Sequence, residues 1–225
     1  MQKNIENVLI TGASSGIGEA LALIYAQNGA KNLFLSGRNV ERLEKIVAEC
    51  QKSGAKTEGK VIDVTDKAAM EKWIEECNQK ASLNLVFANA GVSTGEETPK
   101  NIYNTFNTNV MGVLNTVTPA VELYKKRKND SAKIIAITAS IAGYHGLCAC
   151  PSYSASKACI KAYGEALRNS LRAENIAVNI ICPGFVRSRI TDKNTCPMPF
   201  FMEADKAAGI RSEEHTSELQ SRLHL

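Results

Sequence analysis

Apolar residues along this chain gather into short dense runs, and between the runs they recur every three or four positions. The dense runs are NVLITG (7–12), NLFLSG (32–37), KVIDV (60–64), NLVFAN (84–89), KIIAIT (133–138) and AVNIIC (177–182). Each is rich in Val, Ile, Leu or Phe with little alternation, as expected of strands buried on both faces. The periodic stretches predict helices near 16–28, 39–53, 66–80, 100–128 and 152–174. Strand and helix in strict turn predict an α/β fold: one doubly wound domain, a parallel sheet with helices on both faces. No linker, repeat or low-complexity block divides it. After Cys182 the rhythm stops, and a loop-rich stretch leads into one more short helix. Ligands of such a sheet sit beyond the carboxyl ends of the strands, so strand-end residues are the first candidates for chemistry.

Composition narrows the picture without redirecting it. The chain has 225 residues, 44% hydrophobic and 22% charged, with a net charge of +4. That length can bury a substantial core. No apolar run approaches the roughly 18 residues of a membrane span, and the N-terminus lacks the apolar stretch of a secretion signal. The densest basic cluster, KKRKND at 125–130, ends a predicted helix, where cations suit the dipole, so no nucleic-acid partner is expected. Seven cysteines without CxxC spacing, Cys148 and Cys150 forming the nearest pair, point to reduced thiols in the cytoplasm and to no metal site.

The first strand ends in TGASSGIG (11–18). Gly12 permits a tight turn, Gly16 lets backbone approach a phosphate, and Gly18 allows a helix to pack closely on the strand. A helix beginning near Ser15 offers its unpaired N–H groups to a pyrophosphate. The spacing is GxxxGxG, neither GxGxxG nor a P-loop. A unit built for NAD places an acid at the end of the second strand. Here Gly37 stands in that place and Arg38 follows, and a guanidinium grips a 2′-phosphate where a carboxylate repels it. NADP(H) is therefore expected over NAD(H). The plainer alternative makes Arg38, with Arg42, the solvated face of the next helix.

YSASK (153–157) sets Tyr153 one helical turn before Lys157. A free tyrosine has a pKa of about 10, and an ammonium one turn away lowers it by about 1–3 units. The plainer alternative is an ordinary i,i+4 pair contributing a few tenths of a kcal/mol.

Four landmarks in order decide between these alternatives: TGASSGIG, NAG (89–91), ITASIAG (137–143) and YSASK, supported by NTNVMG (107–112) and CPGFVRS (182–188). Together they make the chain resemble the short-chain dehydrogenase/reductase family from about residue 7 to about 190. The resemblance implies a Rossmann-like single domain and an oxidoreductase moving hydride between NADP(H) and a carbonyl or secondary alcohol. Tyr153 becomes the general acid/base. Ser140 is the donor to the substrate oxygen, although Ala139 stands where a serine usually precedes it. Lys157 is the group that lowers the tyrosine pKa and holds the nicotinamide ribose. Asn109 becomes the helix asparagine whose backbone holds a relay water.

For the cofactor the resemblance adds Ser14, Ser15 and Ile17 around the glycine turn. Asp63 and Val64 fall at the adenine, Ala90 and Gly91 at the ribose, and Asn89 ties the sheet. Pro183, Gly184, Val186 and Ser188 face the nicotinamide. His145, Leu147, Met198, Phe200 and Phe201 are expected to border the substrate, a small hydrophobic carbonyl or alcohol. A full-length member is expected to be a homo-oligomer. A second class, a dinucleotide-binding regulatory protein of the same fold, would usually have lost Ser140, Tyr153 or Lys157. Residues 211–225 break the composition. RSEEHTSELQS reads as the conceptual translation of a sequencing-library adapter, so the native domain is expected within 1–210, its final strand missing and 211–225 a foreign tail.

Overall fold

The computed structural model describes residues 5–129, 131–187, 191 and 201–209. Six strands lie in one parallel sheet in the order β3-β2-β1-β4-β5-β6. They are β1 Asn7–Thr11, β2 Asn32–Gly37, β3 Lys56–Val61, β4 Leu85–Ala88, β5 Ile134–Thr138 and β6 Ala177–Ile181. The helices are α1 Gly16–Gln27, α2 Val40–Lys52, α3 Lys67–Lys80, α4 Pro99–Phe106, α5 Gly112–Lys126 and α6 Pro151–Ser170. The order reverses between β1 and β4, and the chain leaves both strands into one crevice, the place where open α/β sheets bind ligands. A seventh strand is not among the described residues, and neither is any part of 211–225.

The lack of alternation in the strands has its reason in two cores. Val8, Ile10, Leu33, Leu35, Leu85 and Phe87 point to the face covered by α1 and α2. Leu9, Phe34, Val86, Ile135 and Ile137 point to the other, against Trp73, Val117, Tyr124 and Ile160 from α3, α5 and α6. Helix starts follow local chemistry: the side chains of Asn39, Asp66 and Thr98 accept from backbone N–H groups three residues on, satisfying donors a helix end leaves open.

Three expectations are corrected. The third strand is not 60–64 but Lys56–Val61, and it is mostly exposed. It pairs with β2 alone, from Asn32↔Lys56 to Gly37↔Val61. An edge strand with one covered face tolerates KTEGKV, while the apolar Ile62 and Val64 turn off the sheet into the crevice. The single helix over 100–128 is interrupted by a π-helical turn at Asn107–Met111. There Asn109 spends its side chain on other segments: Oδ1 accepts from the Val92 N–H at 2.8 Å, and Nδ2 donates to the Val92 carbonyl at 2.9 Å and to Ser156 Oγ at 3.0 Å. Insertions of this kind cluster at functional sites. The last predicted helix, 152–174, is α6 plus a separate turn at Arg172–Glu174 closed by left-handed Asn175.

Candidate active site

The crevice beyond β1 and β4 is a cleft of about 500 Å³. Its floor is the glycine turn. Gly12 has φ +67°, and a Cβ there would lie 2.8 Å from Ala90 Cα. That backbone conformation and that approach both require glycine. Ser15, in extended conformation, is the N-cap of α1, so the helix begins with its N–H groups at the cleft. Gly18 stands behind the floor: a Cβ would lie 2.3 Å from the Gly12 carbonyl oxygen and 2.6 Å from Asn89 Nδ2.

Asn89 binds three strand ends together. Its Nδ2 donates to the carbonyls of Thr11 at 3.1 Å and Gly12 at 3.4 Å. Its Oδ1 accepts from Thr138 Oγ1 at 3.2 Å, and its N–H donates to Thr11 Oγ1 at 3.0 Å. The rim of the cleft is thereby held rigid at β1, β4 and β5.

At one end of the cleft stand two arginines. Arg38 Nη1 lies 3.6 Å from Asp63 Oδ2, both half-exposed. Burial pulls the Asp63 pKa upward, but hydrogen bonds from the Thr65 N–H and hydroxyl and the Arg38 guanidinium outweigh it, and the pKa falls below its usual value. Arg42 also lines the cleft, and its Nε is shielded from water without a partner among the described residues. Buried donors of this kind are seldom left unmade.

At the other end are Ser140, Tyr153 and Lys157. Ser140 follows β5 and caps the short turn Ile141–Gly143, its Oγ accepting from the Ala142 N–H at 3.2 Å. Tyr153 and Lys157 sit on the first two turns of α6. The Lys157 ammonium, 5.7 Å from the Tyr153 ring centroid, donates to the Thr138 carbonyl at 2.8 Å. Burial lowers the Lys157 pKa to about 8. Burial also raises the Tyr153 pKa, and a hydrogen bond with Ser140 only partly offsets it. The expected depression of the tyrosine by its lysine is therefore reversed in the protein alone. Desolvation of the phenolate is the largest cause, and the ammonium's own charge is destabilised by the same kind of burial.

Most predicted residues meet in this one cleft: Gly12, Ser14, Ser15, Gly16, Ile17, Arg38, Val64, Asn89, Ala90, Gly91, Ser140, Tyr153, Lys157, Pro183, Gly184 and Val186 line it. Gly18 and Asn109 stand behind its wall, and Asp63 reaches it through Arg38. Ser188, Met198 and Phe200 lie outside the described residues. His145 and Leu147 are placed elsewhere, in a second hollow of about 450 Å³ between 142–148 and α6. Phe201 lies under the Arg187 guanidinium, 5.2 Å away.

Sequence reasoning missed Thr138, whose role is carried by a backbone carbonyl that no side chain announces. It also missed Ser36 and Thr108, cleft-lining residues whose hydroxyls are buried without partners among the described residues. Arg42 had a usable signal, a second arginine four residues after Arg38, in the first turn of α2.

A glycine turn at a helix start, a crevice at the sheet's reversal point and a Ser–Tyr–Lys group at its far end define a dinucleotide-binding fold with acid–base groups. The family model described as short chain dehydrogenase matches residues 6–197, and the chain belongs to that family of oxidoreductases. A Myxococcus xanthus (strain DK1622) protein described as an uncharacterized oxidoreductase is 36% identical over 93% of this chain and 83% of its own. Two solved structures share the fold at TM-score 0.84. A Burkholderia phymatum short chain dehydrogenase/reductase in complex with NAD is 24% identical, covering 95% of this chain and 86% of that one. A Burkholderia cenocepacia J2315 short chain dehydrogenase in complex with NADP is 23% identical, covering 98% and 94%. Among the described residues no helix is long and apolar enough to cross a membrane.

Proposed function

We propose that the protein is an NADP(H)-dependent oxidoreductase that reduces a carbonyl to a secondary alcohol, with Tyr153 as proton donor. One observation carries the reading. A single cleft joins two arginines at one end to Ser140, Tyr153 and Lys157 at the other, so a phosphate-bearing cofactor and a reacting oxygen have matched places in it. The residues fit such a cofactor: only a glycine tolerates the approach of Gly12 to Ala90, and Arg42, which lines the cleft, has its Nε buried without a partner among the described residues. Arg38 and Arg42 would hold the 2′-phosphate, the start of α1 the pyrophosphate, and Lys157 the ribose beside the nicotinamide.

The cofactor, when bound, supplies the hydride. The substrate oxygen gains negative charge as its carbon is reduced, and Ser140 Oγ, kept in place by the Ala142 N–H, is positioned to hydrogen-bond it. Tyr153 transfers the phenolic proton to that oxygen as general acid. A phenol holds its proton at neutral pH, and the burial that raises its pKa keeps it there until the substrate oxygen accepts it. Lys157 brings positive charge to the phenolate left behind. A regulatory protein of this fold would have no use for three connected groups at the cleft's end. The test is NADPH oxidation, followed at 340 nm, against a panel of ketones. Turnover of at least one carbonyl is expected, and none across the panel refutes catalysis.

A further inference from the structure

The helix that carries Tyr153 and Lys157 starts with little help from its own sequence. Cys150 holds the N-cap position of α6 and Pro151 the first helical one. Cysteine is not among the residues that favour an N-cap, and proline has no N–H. Ser152 presents the first N–H inside the helix, and its acceptor arrives from a distant part of the chain. Glu97 Oε1 accepts from the Ser152 N–H at 3.0 Å and from Ser152 Oγ at 2.8 Å, across 55 residues of sequence. Glu97 stands between β4 and α4, in a segment whose early residues, Ala90 to Ser93, line the cleft. Asn109 fixes that segment at Val92 with two hydrogen bonds, and Glu97 fixes it again five residues later.

We propose that Glu97 is a positioning residue for the proton donor: by clamping Ser152 it sets the first turn of α6 and thereby the place of the Tyr153 hydroxyl against Ser140. The proposal rests on the reading of Tyr153 as proton donor. Helix ends fray, and Tyr153 lies in the first turn, where unmade N–H bonds let the chain move. A carboxylate there is favoured by the positive end of the helix dipole and forms charge-assisted bonds. Proton transfer is sensitive to such placement, a misplacement of about 1 Å costing on the order of a hundredfold. Glu97 is itself exposed, so its removal leaves both cores intact.

Two readouts on NADPH-loaded protein test this with Glu97→Ala and Glu97→Gln. Amide hydrogen exchange needs no substrate: Glu97→Ala is expected to speed exchange over 150–156 by roughly threefold to thirtyfold, the range for a lost cap, with β1 and β5 unchanged. For a carbonyl that the wild type reduces, kcat is expected to fall by a similar factor, with the NADPH Kd held within about twofold. Glu97→Gln should recover most of both, because an amide oxygen can accept the same two bonds. Unchanged exchange, unchanged kcat, a Kd that weakens in step with kcat, or a Gln variant no better than Ala would each overturn the proposal. A wild type that reduces no carbonyl would remove the proton-donor reading beneath it, and the exchange data would still show whether the clamp exists.

Discussion

Lys157 keeps an ammonium group where 3% of the residue's surface meets solvent. One strong bond, to the Thr138 carbonyl, compensates it, and burial brings its pKa from 10.5 to about 8. The unfolded chain therefore holds a proton between pH 8 and 10.5 that the folded protein has released. Stability rises with pH wherever the unfolded state binds more protons. The wild type is thus expected to gain stability relative to Lys157→Met as pH rises from 8, by about 1.4 kcal/mol per pH unit. Urea unfolding of both proteins at pH 7, 8 and 9.5 measures it, and parallel pH profiles would contradict it. Bound anionic cofactor favours the charged lysine, so NADPH binding at pH 8 is expected to take up a proton fraction of up to about one half, and little at pH 6.5. Calorimetry in two buffers of different ionisation enthalpy reads that uptake. The pairing of Tyr153 with Lys157 was legible in YSASK. The sign of the tyrosine's pKa change was not, because it depends on how many atoms from other segments exclude water from both groups.

At the scale of elements, the turn from β2 into α2 brings two guanidiniums to one end of the cleft, one partly engaged by Asp63. A charged hydrogen bond contributes about 1.5–3 kcal/mol. Arg38→Ala is therefore expected to weaken NADPH binding by roughly tenfold to a hundredfold and to leave NADH nearly unchanged. Arg42→Ala should act in the same direction, and the double variant should bind both cofactors alike. Fluorescence titrations decide, and equal wild-type Kd values for NADPH and NADH would refute the preference. The first turn of α1 admits no side chain at position 18, where the obstacles are a backbone carbonyl and the tethered Asn89 amide. Gly18→Ala should destabilise the protein by about 1–3 kcal/mol, read as a lower urea midpoint. Strands buried on two faces were legible because no register of alternation competes with them. β3 was misplaced because an edge strand carries KTEGKV, which reads as polar loop, whereas Ile62 and Val64 are apolar because they join the core beside the cleft. The π turn at Asn109 was illegible because its cause is a partner 17 residues away.

Across the whole molecule, the parallel sheet collects residues from Gly12 to Val186 on one rim, and Asn89 locks the strand ends that carry them. Those residues were legible because strand-end glycines and the YSASK pair keep short-range spacings. The substrate side was not, since His145 and Leu147 follow Ser140 closely in sequence yet line a different hollow beside α6, both of them exposed. The central claim is that the assembled cleft moves a proton through one phenol. Replacing Tyr153 by Phe removes one oxygen and almost no volume, and general acid catalysis contributes about 10²–10⁴-fold. The direct measurement compares wild type and Tyr153→Phe for NADPH-dependent reduction of the same carbonyl, with NADPH affinity titrated in parallel. The predicted result is a loss of turnover of at least about a hundredfold with cofactor affinity within about threefold. A Tyr153→Phe protein that keeps more than about a tenth of wild-type turnover would contradict the account.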